Sequence, residues 1–361
     1  MASSLSIREN VRLAPMTTLG IGGPARYFAE AREEGEVPEA FAFARRRGLP
    51  VFVLGGGSNV LVADEGFSGL ALRVAIEGVE WRAEGGVTAC AGEDWDSFVR
   101  ECVARDLAGV ECLSGIPGSV GGTPVQNVGA YGQEVAETIT GVRAFDRRAG
   151  RIVALRPAEC GFGYRSSIFN TTEPDRYVVM AVTYRLKPGG APALRYPDVR
   201  SYFAGRPDAP TLREVREAVR EIRARKAMLL SPEDPDCRSA GSFFKNPVLP
   251  PENFARVERE ARRLGLIRDE ERVPGFAVAG GAVKLPAAWL IERAGFQKGH
   301  IHAPAAGRVG ISSKHTLAII NRGGASARDM LEFAGEIQRR VHERFGVRLV
   351  PEPVFLGFLT P

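Results

Sequence analysis

A mixed α/β protein of two or three compact domains is what this sequence of 361 residues predicts, on three grounds. The length allows that number at roughly 150 residues per domain. The first 190 residues alternate short β-type runs with loops rich in glycine and proline. Beyond about residue 210 amphipathic helices with clear start and stop signals take over. With 44% hydrophobic and 25% charged residues, the chain has the balance of a folded globular protein and not of a disordered one.

The elements follow in order. VFVLGGGSNVLVAD (51–64), GLALRVAIEGVEW (69–81), GVTACAGE (86–93) and RYVVMAVTYRL (176–186) read as strands with their turns. Two helices interrupt them. Residues 36–48 carry Pro38 near the first turn and Gly48 past the end. Residues 94–107 open on an Asp94 cap and place Trp95, Phe98, Val99 and Cys102 on one face. The proline-rich segment 188–210 predicts a boundary or a lid. The helix after it is opened by a capping box from Thr211 to Glu214, carries Leu212, Val215, Val219 and Ile222 at helical spacing, and runs to Lys226. Helices near 252–264 and 285–294, a strand at HTLAIIN (315–321) and a helix over 326–345 complete the order. Ser326 caps that last helix, Met330, Phe333, Ile337, Val341 and Phe345 line one face, and Gly346 stops it. The closing VRLVPEPVFLGF is strand-like, and no internal repeat or low-complexity tract is present.

Several classes of protein fall away. The five cysteines, Cys90, Cys102, Cys112, Cys160 and Cys237, are odd in number and show no CxxC spacing, so reduced thiols are expected and neither a disulfide framework nor a zinc site. His300 and His302 stand two apart, but no carboxylate or thiol cluster accompanies them, and no metal is predicted. MASSLSIRENVRLAP lacks the apolar core of a secretory signal, and no segment approaches ~18 uninterrupted apolar residues, so a cytoplasmic protein off the membrane is expected. A net charge of +5 favours acidic partners. Its arginines are spread along helices without a nucleic-acid motif, which points to a phosphorylated small molecule and away from nucleic acid.

Three glycine-rich loops invite a ligand. GIGGPA (20–25) spells a dinucleotide turn, yet a polar run precedes it and Pro24 opens a strand-like RYFAEA, so a structural turn is expected. LGGGSNVLV (54–62) is either a nest of N–H groups for anionic oxygens, aided by Ser58 and Asn59, or an ordinary hairpin. LSGIPGSVGGTPVQNVGAYG (113–132) has seven glycines and alanines in twenty residues, with Gln126 and Asn127 as uncharged donors suited to a heterocycle edge. A cofactor cradle is expected there. SAGSFFKNP (239–247) holds Ser242 between a glycine and two aromatic rings, and leaves open whether that serine is nucleophile, proton donor or turn residue. All four histidines lie outside any G-x-S-x-G context.

Taken in order, MTTLGIGGPA, LGGGSNVLV, LSGIPGSVGGTPVQNVGAYG, CGFGYRSSIF, SAGSFFKNP and PEPVFLG resemble the motifs of the UDP-N-acetylenolpyruvoylglucosamine reductase family over nearly the whole chain. The resemblance implies an α/β (α+β) protein with a two-part FAD-binding unit of the vanillyl-alcohol-oxidase (PCMH) type and a C-terminal α/β substrate-binding domain. The implied division is 1–65 with 347–361, then 66–226, then 227–346. It further implies that FAD, reduced by NADPH as co-substrate, reduces an enolpyruvyl UDP-sugar to UDP-N-acetylmuramate in bacterial peptidoglycan precursor synthesis. The loops Gly55, Gly56, Gly57, Ser58, Asn59 and Pro117, Gly118, Ser119, Gly121, Gly122, Gln126, Asn127, Gly129, Ala130, Tyr131 would hold the flavin.

In this family a reduction ending in protonation asks Ser242 for a proton, and Arg165 and Glu352 for stabilisation of the charge beside the substrate carboxylate. Tyr164, Arg223, Lys226 and Asn246 match substrate-contact positions, and Tyr196 resembles the lid tyrosine of the longer subtype. Phe243 and Phe244 are expected to exclude water. The chain departs from some members near KGHIHAPAAGRVGISSKH, where His300 and His302 stand in a region that elsewhere carries a glutamine. A cytoplasmic monomer serving cell wall biogenesis, cell shape and division follows from the same likeness. Another FAD oxidoreductase or oxidase of this fold is the alternative, and a colourless, basic nucleotide- or nucleic-acid-binding module the second; bound flavin and its reoxidation by the UDP-sugar separate the three.

Overall fold

In the computed structural model, residues 5–358 are described. In chain order the first segments are β1 (Ile7–Arg12), β2 (Pro24–Ala31), α1 (Glu36–Arg46), β3 (Val51–Leu54), β4 (Val60–Val62), β5 (Phe67–Val74), β6 (Val79–Trp81), β7 (Gly86–Cys90) and α2 (Trp95–Ala104). Later helices are α3 (Pro197–Tyr202), α4 (Leu212–Arg225), α5 (Pro251–Arg263), α6 (Ala287–Arg293) and α7 (Ala327–Phe345). The chain forms two compact units. Of the described residues, the first comprises 5–12, 24–57 and 66–230, and the second 13–23, 58–65 and 231–358.

The first unit contains two sheets. One has the order β1-β2-β5-β3, antiparallel between β1 and β2 and parallel elsewhere. The other is antiparallel throughout and runs Arg151–Leu155, Ile139–Asp146, Tyr177–Arg185, β7, β6. Their apolar faces and α1 and α2 share one core, in which Trp95, Phe98 and Tyr184 pack ring on ring and are at most 2% exposed. Asp94 caps α2 through Ser97 N–H at 2.8 Å, as its position ahead of the apolar stripe predicts. Thr211 and Glu214 form the expected capping box of α4.

The second unit is built around α7. Ser326 and Asp329 cap its start, Gly346 stops it at φ +65°, and Met330, Phe333, Ile337, Val341 and Phe345 are all within 1% of full burial. Against this face lie α5, α6, the Val309–Ile311 and Ile319–Asn321 hairpin, and both Phe243 and Phe244. Here β4 pairs in parallel with Val354–Leu356. The strand expected over 315–321 begins only at Ile319, because the Ser312 hydroxyl accepts the N–H groups of Lys314 and His315 and holds those residues in a turn. The proline-rich segment carries one short helix, α3, with Pro197 at its first position. All five cysteines are free thiols, and burial pushes Cys102, Cys112 and Cys160 above the usual thiol range.

Candidate functional site

The two glycine loops of the first unit meet backbone to backbone. Gly56, after β3, lies so close to Gly118 that a methyl group on it would sit 2.5 Å from Gly118 Cα and 3.0 Å from the Ser119 nitrogen. No side chain fits there, so glycine is required by contact and not by torsion. Ser119 also bridges to Asp94, Val120 N–H donates to Glu93 O at 2.9 Å, and Trp95 N–H donates to Gly118 O at 3.1 Å. These bonds seat the Pro117–Gly122 turn on the start of α2. The remainder of the loop folds as a two-rung hairpin, Gly129 and Ala130 against Gln133 and Glu134, with Tyr131 at φ +48° in its tip. Gln126 is half-buried on the same loop.

Arg165 sits at φ +52° in a two-residue hairpin closed by Gly163 and Ser166. An arginine in the left-handed region stores strain of about 1–3 kcal/mol and persists only where its surroundings hold it. They do so from the cradle loop: Arg165 Nη2 donates to Gly129 O at 2.6 Å, and Asn127 Nδ2 donates to Gly163 O at 3.0 Å and to Glu134 Oε2 at 2.8 Å. Asn127, 1% exposed and itself at φ +45°, thus ties the cradle to the Arg165 hairpin. Tyr164, 39% exposed, lies under the Arg165 guanidinium at 5.5 Å.

A third group assembles at the last turn of α4. Arg223 is buried, with Nε donating to Gly115 O at 3.0 Å, and burial pulls its guanidinium below its ordinary range. Lys226 lies 5.9 Å from the Tyr131 ring centre, which is packed edge-on against Tyr196 at 5.4 Å. Burial alone lowers the Lys226 ammonium, but its bond to Asp198, with Tyr131 and Tyr196 beside it, outweighs that and leaves it raised. Burial raises the Tyr131 phenol. Tyr131, Tyr196, Arg223 and Lys226, assigned separately in sequence, therefore stand together. Asp198, which pairs with the lysine, carried no local signal.

In the second unit SAGSFFKNP lies antiparallel to the VPEPV tail. Glu352 N–H donates to Phe243 O at 2.9 Å, Lys245 N–H donates to Val350 O at 2.9 Å, and Phe244 bridges Pro351. In this register Glu352 stands opposite Phe243, one position along from Ser242, and Ser242 and Glu352 are both half-buried. On the other side Phe243 N–H donates to Leu317 O at 2.8 Å. Both phenylalanine rings face the core at 0% and 1% exposure, so they anchor the segment, in place of the water-excluding role expected of them. Asn59 Nδ2 donates to Glu352 O at 3.2 Å, which places Ser58 and Asn59 beside the tail.

Thr18, inside MTTLGIGGPA, has its hydroxyl 2.6 Å from Ser239 O and 3.4 Å from Ser58 O, linking that loop to the serine segment. Single-sequence reading has no signal for such a link. Asn246 Oδ1 accepts Ala287 N–H at 2.9 Å at the start of α6. His300 and His302 stack on Phe333, and His302 Nδ1 lies 3.3 Å from Glu336. Among the described residues no group of three or more metal-ligating side chains is assembled, and no helix is long and apolar enough to cross a membrane.

Comparison with known proteins adds the following. Residues 232–356 match the family model for the C-terminal domain of UDP-N-acetylenolpyruvoylglucosamine reductase, and residues 25–156 match that of an FAD binding domain. The reductase of Thermobifida fusca is 47% identical over 359 residues, covering 98% of both chains. That of Streptomyces coelicolor is 48% identical over 350 residues, covering 96% of this chain and 89% of its own. A solved structure of UDP-N-acetylenolpyruvylglucosamine reductase from Thermus caldophilus superposes with a TM-score of 0.64 at 28% identity, covering 98% of this chain and 99% of the other.

Proposed function

The chain belongs to the UDP-N-acetylenolpyruvoylglucosamine reductase family, and from that premise we propose how its own residues carry the reaction. It is an NADPH-dependent, FAD-containing oxidoreductase that reduces UDP-N-acetylenolpyruvoylglucosamine to UDP-N-acetylmuramate. Its fold is α/β, with FAD-binding and C-terminal substrate-binding parts. The near full-length match carries the activity. The register between SAGSFFKNP and the VPEPV tail supports the assignment of roles.

The contact of Gly56 with Gly118 brings the two glycine loops together backbone to backbone, which supports reading them as one cofactor cradle. On this proposal Gly55 to Asn59 and Pro117 to Tyr131 hold FAD, whose chemistry when bound is to pass hydride from NADPH to the enolpyruvyl β-carbon. The adjoining carbon then carries negative charge conjugated with the carboxylate. Arg165, a planar fixed cation on a strained hairpin, clamps that carboxylate. Glu352 shares the developing charge, and Ser242 delivers the proton. Arg223, Lys226 and Asn246 bind the diphosphate, with Tyr164 as a further substrate contact and Tyr196 as the lid tyrosine.

The division 1–65 with 347–361, 66–226 and 227–346 is part of the same proposal. The first unit carries two separate sheets, which supports two flavin-binding parts, although β5 pairs with β2 and β3 and so lies beyond the bound at residue 65. The proposal extends to a cytoplasmic monomer that serves peptidoglycan synthesis, and through it cell wall biogenesis, cell shape, division and the cell cycle, without binding nucleic acid. The test is anaerobic. NADPH is expected to bleach the protein-bound flavin, and the enolpyruvyl UDP-sugar to restore its colour with formation of the lactyl ether. Reoxidation by oxygen alone, with none by that substrate, would favour an oxidase of the same fold and overturn the reading.

A further inference from the structure

One carboxylate in the first unit gathers four donors from three residues on two other segments. Asp96, in the first turn of α2, accepts Gly115 N–H at 2.5 Å and Arg216 Nη1 at 2.6 Å on one oxygen. Its other oxygen accepts Arg216 Nη2 at 2.9 Å and Arg220 Nη1 at 2.6 Å. Burial pushes this carboxyl up, but the Arg216 and Gly115 hydrogen bonds and the charges of Arg216 and Arg220 outweigh it and hold it low. Such bidentate, charge-assisted bonds fix geometry as well as contribute energy.

The Gly115 peptide is held from both ends. Its N–H is on Asp96, and its carbonyl accepts Arg223 Nε. Gly115 lies at φ +72°, and a methyl group there would sit 2.9 Å from Leu229 Cδ1. Three residues further on, Gly118 backs against Gly56 in the cradle. Arg216, Arg220 and Arg223 follow one another on one face of α4 at i, i+4 and i+7, so the carboxylate that fixes the first two also sets the helix that presents Arg223 and Lys226.

We propose that Asp96 is a positioning residue that couples the flavin loop to the diphosphate-binding end of α4, so that FAD bound on Gly118 strengthens the binding of a uridine diphosphate group by Arg223 and Lys226. The chain of contacts is short and rigid: cradle, Gly115 peptide, Asp96 with Arg223, last turn of α4. Coupling of this kind is reciprocal, so the nucleotide tightens FAD by the same factor. The proposal rests on the reading of Arg223 and Lys226 as phosphate ligands.

The experiment uses UDP alone as the probe, titrated calorimetrically into the apoprotein and the FAD-loaded full chain, without turnover. For the wild type, FAD is expected to tighten UDP by about tenfold, within the usual range of coupling between sites. Asp96→Asn keeps the shape but leaves the guanidiniums without their counter-charge; it is expected to bring the two UDP affinities together and to raise KM for the UDP-sugar more than it lowers kcat. Arg220→Gln, at a half-exposed side chain, is expected to give a partial loss in a chain that melts close to the wild type, which keeps the test valid if Asp96→Asn unfolds. Equal UDP affinity with and without FAD in the wild type, or full coupling retained in Asp96→Asn or Arg220→Gln, overturns the proposal. If Lys226→Ala binds UDP as tightly as the wild type, the phosphate reading itself is wrong, and the coupling falls with it.

Discussion

The cradle loop 113–132 and the serine segment 239–247 are both glycine-containing loops, yet they are held in opposite ways. The cradle is fixed by polar groups: backbone bonds to the start of α2, the Asn127 amide, and the Asp96 clamp on Gly115. On the proposed reading the surface it offers a cofactor is backbone. The serine segment is fixed by apolar packing, with Phe243 and Phe244 sunk in the core of the second unit and the half-buried Ser242 and Lys245 on either side of them. A loop whose surface is backbone cannot tolerate an added atom. A loop anchored by its neighbours tolerates a changed side chain at the working position.

That contrast breaks most visibly at Ser242. Ser242→Ala is expected to fold, to retain flavin, and to be reduced by NADPH at nearly the normal rate. Reoxidation by the enolpyruvyl substrate should slow by about 10²–10⁴-fold, the usual contribution of a positioned proton donor. Stopped-flow traces of the two half-reactions separate these outcomes. Equal slowing of both would give the serine a structural role.

The complementary change is Gly56→Ala. Its methyl group meets Gly118 Cα, a backbone atom that cannot rotate aside, so overpacking of about 1–3 kcal/mol is expected. The readout is flavin retention through gel filtration, with affinity weakened by about 10- to 100-fold. A variant that stays fully yellow would show that the cradle gives way, and would remove the distinction between the two loops.

The smallest effect concerns acid. Asp146 of the first unit, whose oxygens accept from Arg176 and from the N–H groups of Arg148 and Ala149, is held from an ordinary 3.8 down to about 2, chiefly by the Arg176 bond. A carboxyl lowered on folding adds stability that is complete above its unfolded value and fades as pH falls from 3.8 toward about 2. Asp146→Asn should therefore melt a few degrees lower than wild type at pH 7, with the gap closing toward pH 2. A constant gap across that window would show that the residue acts by packing.

Much of this was readable beforehand where the cause is local. The Asp94, Thr211 and Ser326 caps, the Gly346 stop and the buried stripe of α7 are settled within a turn or two of helix, and so they show in the sequence. Motif order picked out the loops from which the candidate site is proposed. Their arrangement was not readable: Thr18 beside Ser239, Asp198 beside Lys226 and Asp96 beside Arg216 join positions 221, 28 and 120 residues apart. No spacing rule reaches so far.

The sequence by itself determined most of which segments curl and which extend, because propensity and capping act over a few residues. Only the tertiary structure decided that Gly56 meets Gly118, that Arg165 is held left-handed by Gly129, and that Glu352 lies in register with the serine segment. Those are pairings between distant segments, chosen by burial and by satisfied hydrogen bonds within each folded unit, and they exist only once its core has closed.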